Sequence, residues 1–440
     1  MYKEIAKLIL YRDLGEDSIL LKLSGIFRDY ELDLAEKENL TSRIYEQMKA
    51  LLDLSTQYGF DKNLWHNYLT FILLTNENSF SMTSEKVGAN DGTVNHFAKA
   101  DFAVFKKLFD FDFGPIEKDL GIDCFSTVCN YHSIPKKERM YNRNVSEHVQ
   151  EVSERIEKAA DEEEIFTIVT DFYKAYGVGM FGLNRAFRIR HLEDGVEFLP
   201  INNTDSVLLK DLIGYEIQKK KLVDNTQAFV DGRKANNVLL FGDSGTGKST
   251  SIKAIVNEFY GQGLRMIEIY KHQFKDLSTV ISQIKNRNYK FIIYMDDLSF
   301  EEFEIEYKFL KAVIEGGVET RPDNILIYAT SNRRHLIKEN WNDRNDMEHR
   351  NDMHHSDTME EKLSLVNRFG VTISFSKPSQ KEYFNIVINL ARRAGIAMSD
   401  EELCREANKW ELSHGGISGR TAQQFINYIS GSVEKGGKED

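Results

Sequence analysis

The 440 residues carry 57 Lys+Arg against 69 Asp+Glu, a net charge of −12, with 41% hydrophobic and 11% aromatic content. That length supports two or three domains with ordinary cores, and the acidic balance argues against generic nucleic-acid binding. Cys124, Cys129 and Cys404 are too few for a disulfide framework, and no apolar run approaches the roughly eighteen residues of a membrane span.

The first residues, Met1-Tyr2-Lys3-Glu4, lack a signal-peptide core, so a cytoplasmic protein is expected. Residues 1–195 read as a mainly helical domain. Thr41-Ser42 is the expected cap of a helix that shows Ile44, Met48, Leu51, Leu52 and Ser55 on one side. A second helix runs through Leu64, Tyr68, Phe71 and Ile72. Phe80 to Thr93 holds Gly88, Asn90, Asp91 and Gly92 and reads as a loop. Ala98 to Phe111, Asn144 to Ala160 and Glu164 to Tyr176 follow as helices. Such a set suits a bundle or an α-solenoid. Phe102, Phe105, Phe109, Phe111 and Phe113 read as core, with a binding surface as the alternative. Cys124 and Cys129 have no second cysteine pair beside them, which argues against a metal site. His132, Lys136, Lys137, Arg139 and Arg143 form a basic stretch, either a solvated loop or a phosphate or partner contact. Gly177 to Gly195 reads as the connection to the next domain, with a strand-like Phe187-Arg188-Ile189-Arg190 that suggests a small hairpin.

Residues 196–378 alternate strands and helices. The strand-like segments are Asn237–Phe241, Arg265–Tyr270, Tyr289–Met295, Asn324–Thr330 and Val371–Phe375. That order specifies a parallel five-stranded sheet with helices on both faces. After the first strand comes Gly242-Asp243-Ser244-Gly245-Thr246-Gly247-Lys248-Ser249-Thr250, which contains G-x-x-x-x-G-K-[ST]. Between a strand and a helix, such a loop turns its N–H groups onto one anion. ATP and Mg²⁺ are therefore the expected cofactors, with Lys248 on the β- and γ-phosphates and the Ser249 hydroxyl on the metal. The strand Tyr289–Met295 ends in Asp296-Asp297. Asp296 is placed to bind Mg²⁺, and Asp297 to orient or deprotonate an attacking water. Asn332 ends the next strand and either sets an amide between that water and the γ-phosphate or forms a turn. Residues 339–358 are a polar insertion with His349, His354 and His355 beside Asp352 and Asp357. It is too polar to pack and reads as a loop, with metal binding as the alternative.

Residues 379–440 give three further helices, Gln380–Arg393, Asp400–Leu412 and Gly419–Val433, then a polar end from Lys435 that is expected to be disordered.

The order of these pieces resembles AAA+ P-loop ATPases: the phosphate loop, the paired acids, a strand ending in Ser331-Asn332, Arg368-Phe369 before the last strand, and a helical tail with Gly419-Arg420. Asp296-Asp297-Leu298 and Thr330-Ser331-Asn332 look like the corresponding motifs of helicase-loader and transposon-helper ATPases. The wider likeness is to a bacterial family of predicted AAA+ ATPases of unassigned function. It runs through Asn236-Asn237-Val238, Asn332-Arg333-Arg334-His335-Leu336 and Glu360-Glu361-Lys362-Leu363-Ser364-Leu365, and is specific from about Leu209 onward. The resemblance implies a C-terminal helical lid over the nucleotide, adenine covered by Ile213 and Gly214, and homo-oligomers in which Arg368 enters a neighbour's site. Arg368 in a surface salt bridge is the alternative. By the same resemblance Arg420, with Arg393 second, folds over the γ-phosphate. Most such ATPases have Glu where Asp297 stands, so the water sits closer or hydrolysis is slow. The helical N-terminal domain is expected to hold the macromolecular partner that ATP turnover remodels or loads. A nucleic-acid loader and a nucleotide-gated module with little hydrolysis remain as alternatives.

Overall fold

The computed structural model describes residues 1–134, 142–193, 195–202, 207–300, 306–315, 322–332, 336 and 365–436. The chain divides into two compact units, one built on Met1–Arg185, the other on most of the chain from Ala186 onward.

The first unit is helical: α1 Tyr2–Ile5, α2 Ile19–Glu31, α3 Lys37–Tyr58, α4 Leu64–Thr75, α5 Ser79–Val87, α6 Thr93–Phe109, α7 Gly114–Leu120, α8 Cys124–Cys129, α9 Arg143–Glu157, α10 Glu162–Tyr176 and α11 Gly179–Leu183. Side chains set the ends. Asn63 caps α4 by accepting the His66 N–H, and Asp161 caps α10 by accepting those of Glu163 and Glu164. Helix α3 starts ahead of Thr41-Ser42, because Leu40 is buried on the same face as Ile44. The stretch expected as a loop from Phe80 is largely α5. Asn78 accepts the N–H groups of Phe80 and Ser81, and Ser81 Oγ accepts the Asn78 N–H in return. Phe102, Phe105, Phe109 and Phe113 are buried with Trp65, Phe80 and Phe125, so the aromatic run is interior. Helix α4 touches α3, α6, α8, α9, α10 and α11. Helices distant in sequence thus pack around one centre, which is a bundle; in a solenoid each repeat meets its neighbours alone.

The second unit carries a seven-stranded sheet: β1 Ala186–Leu192, β2 Gly195–Pro200, β3 Val238–Gly242, β4 Leu264–Glu268, β5 Lys290–Met295, β6 Ile325–Ser331 and β7 Val371–Phe375, in the order β2-β1-β4-β5-β6-β3-β7. The five strands expected from the sequence are β3 to β7, and each neighbouring pair among them runs parallel. The count of five is corrected by the hairpin. Its first strand pairs parallel with β4, Ala186 opposite Met266, and β2 folds back beside it, so the sheet is mixed at that edge. The division between units accordingly falls before Ala186 rather than at 195. All seven residues of β6 are buried, as are Phe291 to Met295 of β5, the mark of strands covered on both faces.

Helices α12 Glu216–Val230, α13 Lys248–Phe259, α14 Leu277–Ile284 and α15 Glu306–Glu315 connect the strands. From β3 the chain crosses through α13 to β4, three positions away, and β5 and β6 later fill the two places between them. Such a switch of direction opens a crevice at the strands' carboxyl ends. The chain closes with α16 Gln380–Arg393, α17 Asp400–Ser413 and α18 Gly419–Gly436. Ser379 with Glu382, and Ser399 with Glu402, cap the first two reciprocally. Tyr383, Val387, Leu403, Ala407, Phe425 and Ile426 form the core between the three. Among the described residues no helix is long and apolar enough to cross a membrane.

Candidate functional site

The site starts at the end of β3. Gly242 has φ +130°, and a Cβ there would lie 2.1 Å from the Phe375 carbonyl oxygen, so the turn out of the strand needs glycine. The Asp243 N–H donates to that same carbonyl at 3.0 Å. Gly245 and Gly247, at φ +74° and +90°, carry the loop into α13. No side chain caps α13, whose first N–H groups are left for an anion.

Lys248 opens α13 and is buried. Its Nζ donates to the carbonyls of Gly242 at 2.9 Å and Asp243 at 2.7 Å and to Asn332 Oδ1 at 3.0 Å. Burial pushes the amine below its usual range; the carboxylates of Asp243, Asp297 and Asp296 oppose this, and Arg420 adds to it.

Asp296 follows β5 and accepts from Ser249 Oγ at 2.7 Å and Thr330 Oγ1 at 2.5 Å, both on Oδ1. Burial pushes its carboxyl up. The hydroxyls of Thr330 and Ser249, the neighbouring Tyr294 phenol and the Asp297 N–H outweigh it and hold the group below the usual carboxylate range. Asp297 sits in the left-handed region at φ +49°. Its N–H donates to Thr330 Oγ1 at 2.9 Å, and its Oδ1 accepts from Asn332 Nδ2 at 2.8 Å. Lys248, Asn332 and Asp297 thus form one hydrogen-bonded chain.

These groups open into a cleft of about 970 Å³. The loop from Ser244 to Thr250 lines it with Asp296, Asp297 and Asn332, and Val207, Leu212, Ile213, Ile386 and Leu390 add an apolar lining. Ile213 lines the cleft. Gly214 does not: at φ +83° it makes the turn that presents Ile213 and Tyr215. Asp243 is also outside the lining, its carboxylate accepting the Lys377 N–H at 2.9 Å. Arg420 lines the cleft, and its N–H donates to the Gly245 carbonyl at 3.2 Å. Arg393 lines it too, but its guanidinium is taken by the carbonyls of Asp211 and Lys210, both at 2.9 Å. Arg368 is half-buried ahead of β7 and does not line the cleft.

The sequence places Thr330 in a motif without giving it a role of its own, and does not mark Ile386 and Leu390. A polar residue inside an otherwise apolar strand was the available signal for Thr330; nothing local marks the other two. The insertion at 339–358, Arg333 to His335, Glu360 to Ser364 and Lys136 to Arg139 lie outside the described residues. Among the described residues no three His, Cys, Asp or Glu side chains gather to hold a metal by themselves.

The family model described as "Protein of unknown function (DUF815)" matches residues 183–433, which contain every site residue named above. No curated protein matches the chain. Among solved structures the chain is similar to the AAA domain of FIGL-1 in complex with ADP, at 19% identity and a TM-score of 0.37, over 53% of this chain and 76% of that one. It is also similar to the Thermotoga maritima RuvB Holliday junction branch migration motor, at 14% identity and a TM-score of 0.31, over 50% of this chain and 71% of that one.

Proposed function

The chain belongs to the family of unknown function DUF815, and from that premise we propose that it is a Mg²⁺-dependent AAA+ ATPase. One observation carries the reading. Ser249 Oγ meets Asp296 Oδ1 at 2.7 Å while Lys248 Nζ stands 3.0 Å from Asn332 Oδ1, and all four side chains border the same cleft as the uncapped start of α13.

The triphosphate lies along Ser244 to Thr250, held by backbone N–H groups and by Lys248. The base lies against Ile213, Leu212, Ile386 and Leu390. Ser249 and Asp296 fit Mg²⁺: a hydroxyl and a carboxylate side by side give two hard oxygens, and this ion takes its remaining ligands from phosphate and water. When bound, the ion neutralises charge on the β- and γ-phosphates. Asp297 accepts the proton of the attacking water or orients it, and Asn332 fixes Asp297 through its amide. Arg420, held against Gly245 by its backbone, reaches the γ-phosphate. Arg368 does not line its own chain's cleft, which supports its acting in a second copy's site, and hence assembly into homo-oligomers. The helical unit binds the macromolecule that turnover remodels or loads.

Purified protein tests this by nucleotide titration and phosphate release. Lys248→Ala is expected to lose binding, and Arg368→Ala to keep binding and lose turnover. Full turnover in both variants overturns the reading. A second reading, a nucleotide-gated module with little hydrolysis, is favoured by the bond that ties Asp297 to Asn332. Tight ATP binding without phosphate release would select it.

A further inference from the structure

We propose that Thr330 is the positioning residue of this site: its single hydroxyl sets the metal-facing carboxylate of Asp296 and the water-facing carboxylate of Asp297 together. The inference rests on the nucleotide reading above and deepens it.

Thr330 lies one residue before the end of β6 and is 1% exposed. Its Oγ1 donates to Asp296 Oδ1 at 2.5 Å and accepts the Asp297 N–H at 2.9 Å. A hydroxyl has one proton and an N–H can only donate, so both directions are fixed. The Thr330 carbonyl accepts the Leu298 N–H at 2.7 Å. One residue therefore holds the peptide groups on both sides of Asp297.

That grip has a conformational purpose. Asp297 has φ +49°, the left-handed region that a residue with a Cβ disfavours. Two hydrogen bonds from one buried residue offset that cost. The left-handed backbone then directs the Asp297 carboxylate to Asn332 Nδ2 rather than along the strand. On Asp296, Thr330 and Ser249 both use Oδ1, which fixes the carboxylate's rotation and leaves Oδ2 to face elsewhere. The sheet itself does not need the hydroxyl. Backbone pairing already joins β5 to β6, with Met295 opposite Ala329, and β6 to β3, with Thr330 opposite Leu240. The role is thus separable from strand pairing.

The test compares Thr330→Val, nearly isosteric and without the hydroxyl, with Thr330→Ser, which keeps it. Thr330→Ala removes the hydroxyl with less bulk and serves if the valine variant does not fold, thermal unfolding being the check. The readouts on the full chain are the affinity of a fluorescent ADP analogue with and without Mg²⁺, and kcat and KM for ATP. Removing a partner that orients a metal ligand costs about 10–100-fold in metal affinity or activity. Thr330→Val is expected to lose about tenfold of the Mg²⁺-dependent gain in ADP affinity and at least about tenfold in kcat. Its Mg²⁺-free affinity stays as in the wild type, and serine restores both losses. A valine variant with wild-type Mg²⁺ dependence and kcat overturns the inference. So does a serine variant as impaired as valine, since the methyl group's packing would then be the cause. If the wild-type protein binds no Mg²⁺-nucleotide at all, the nucleotide reading itself falls and takes this one with it.

Discussion

Lys248 and Asn332 share a hydrogen bond of 3.0 Å, amine to amide oxygen, while the nitrogen of that same amide holds Asp297 at 2.8 Å. Lys248 and Asp297 are therefore two hydrogen bonds apart through one side chain. A polyphosphate that draws Lys248 away from Asn332 also changes what holds Asp297.

This linkage predicts a split between binding and turnover at the acid. Asp297→Asn removes the proton acceptor but keeps the size of the side chain. Phosphate release is expected to fall by about 10²–10⁴-fold, the usual contribution of a positioned base. Nucleotide affinity, measured by titration, is expected to stay close to wild type, since the proposed phosphate contacts do not include Asp297. An equal loss in both measurements would contradict the assignment.

Lys248 predicts proton uptake on binding. Burial depresses its amine from the ordinary 10.5. Between the depressed value and 10.5, part of the free protein therefore has a neutral lysine. Phosphate oxygens favour the ammonium form, so binding in that alkaline window takes up protons, and at lower pH it does not. Calorimetry in two buffers of different ionisation heat reads the uptake directly; no buffer dependence in the alkaline range would refute it.

The two arginines of the cleft should part company. Arg420 is attached to the loop by its backbone N–H, so Arg420→Ala keeps that contact. It should leave Tm unchanged and reduce the preference for ATP over ADP by about tenfold or more, the worth of a hydrogen bond to a charged group. Arg393→Ala removes two bonds to the carbonyls of Lys210 and Asp211. It is expected to lower stability by about 1 kcal/mol, or about 2–4 °C in Tm, with the ATP-to-ADP preference retained.

Gly242→Ala tests the turn that launches the loop. The added methyl would collide with the Phe375 carbonyl, and φ +130° is itself unfavourable to alanine. Overpacking and backbone strain of about 1–3 kcal/mol each are expected. Urea unfolding should show the loss, with nucleotide affinity falling alongside.

The places of the glycine loop, the acid pair and Asn332 were legible in the sequence because each is a local pattern at a strand's end, where geometry follows from a few adjacent residues. Gln380–Arg393 was legible to the residue because Ser379 and Glu382 form its start. What was lost depends on pairing at a distance. The alternation at Phe187 to Arg190 marked a strand, but nothing in it named β4 as its partner, so the hairpin was assigned to a linker and the sheet was counted two strands short. Helix α5 was hidden because the glycines that follow it weigh more in a window than the Asn78–Ser81 cap that begins it. Arg393 carries the charge of a phosphate ligand, and only the fold shows that two carbonyls already occupy it.

Strand β3 is paired on both sides, to β6 over Val238 to Phe241 and to β7 over Val238 to Gly242. Its amide hydrogens should thus be among the slowest in the sheet to exchange with deuterium, well behind those of the edge strand β2. The glycine loop it launches is therefore anchored where the sheet is hardest to pull open.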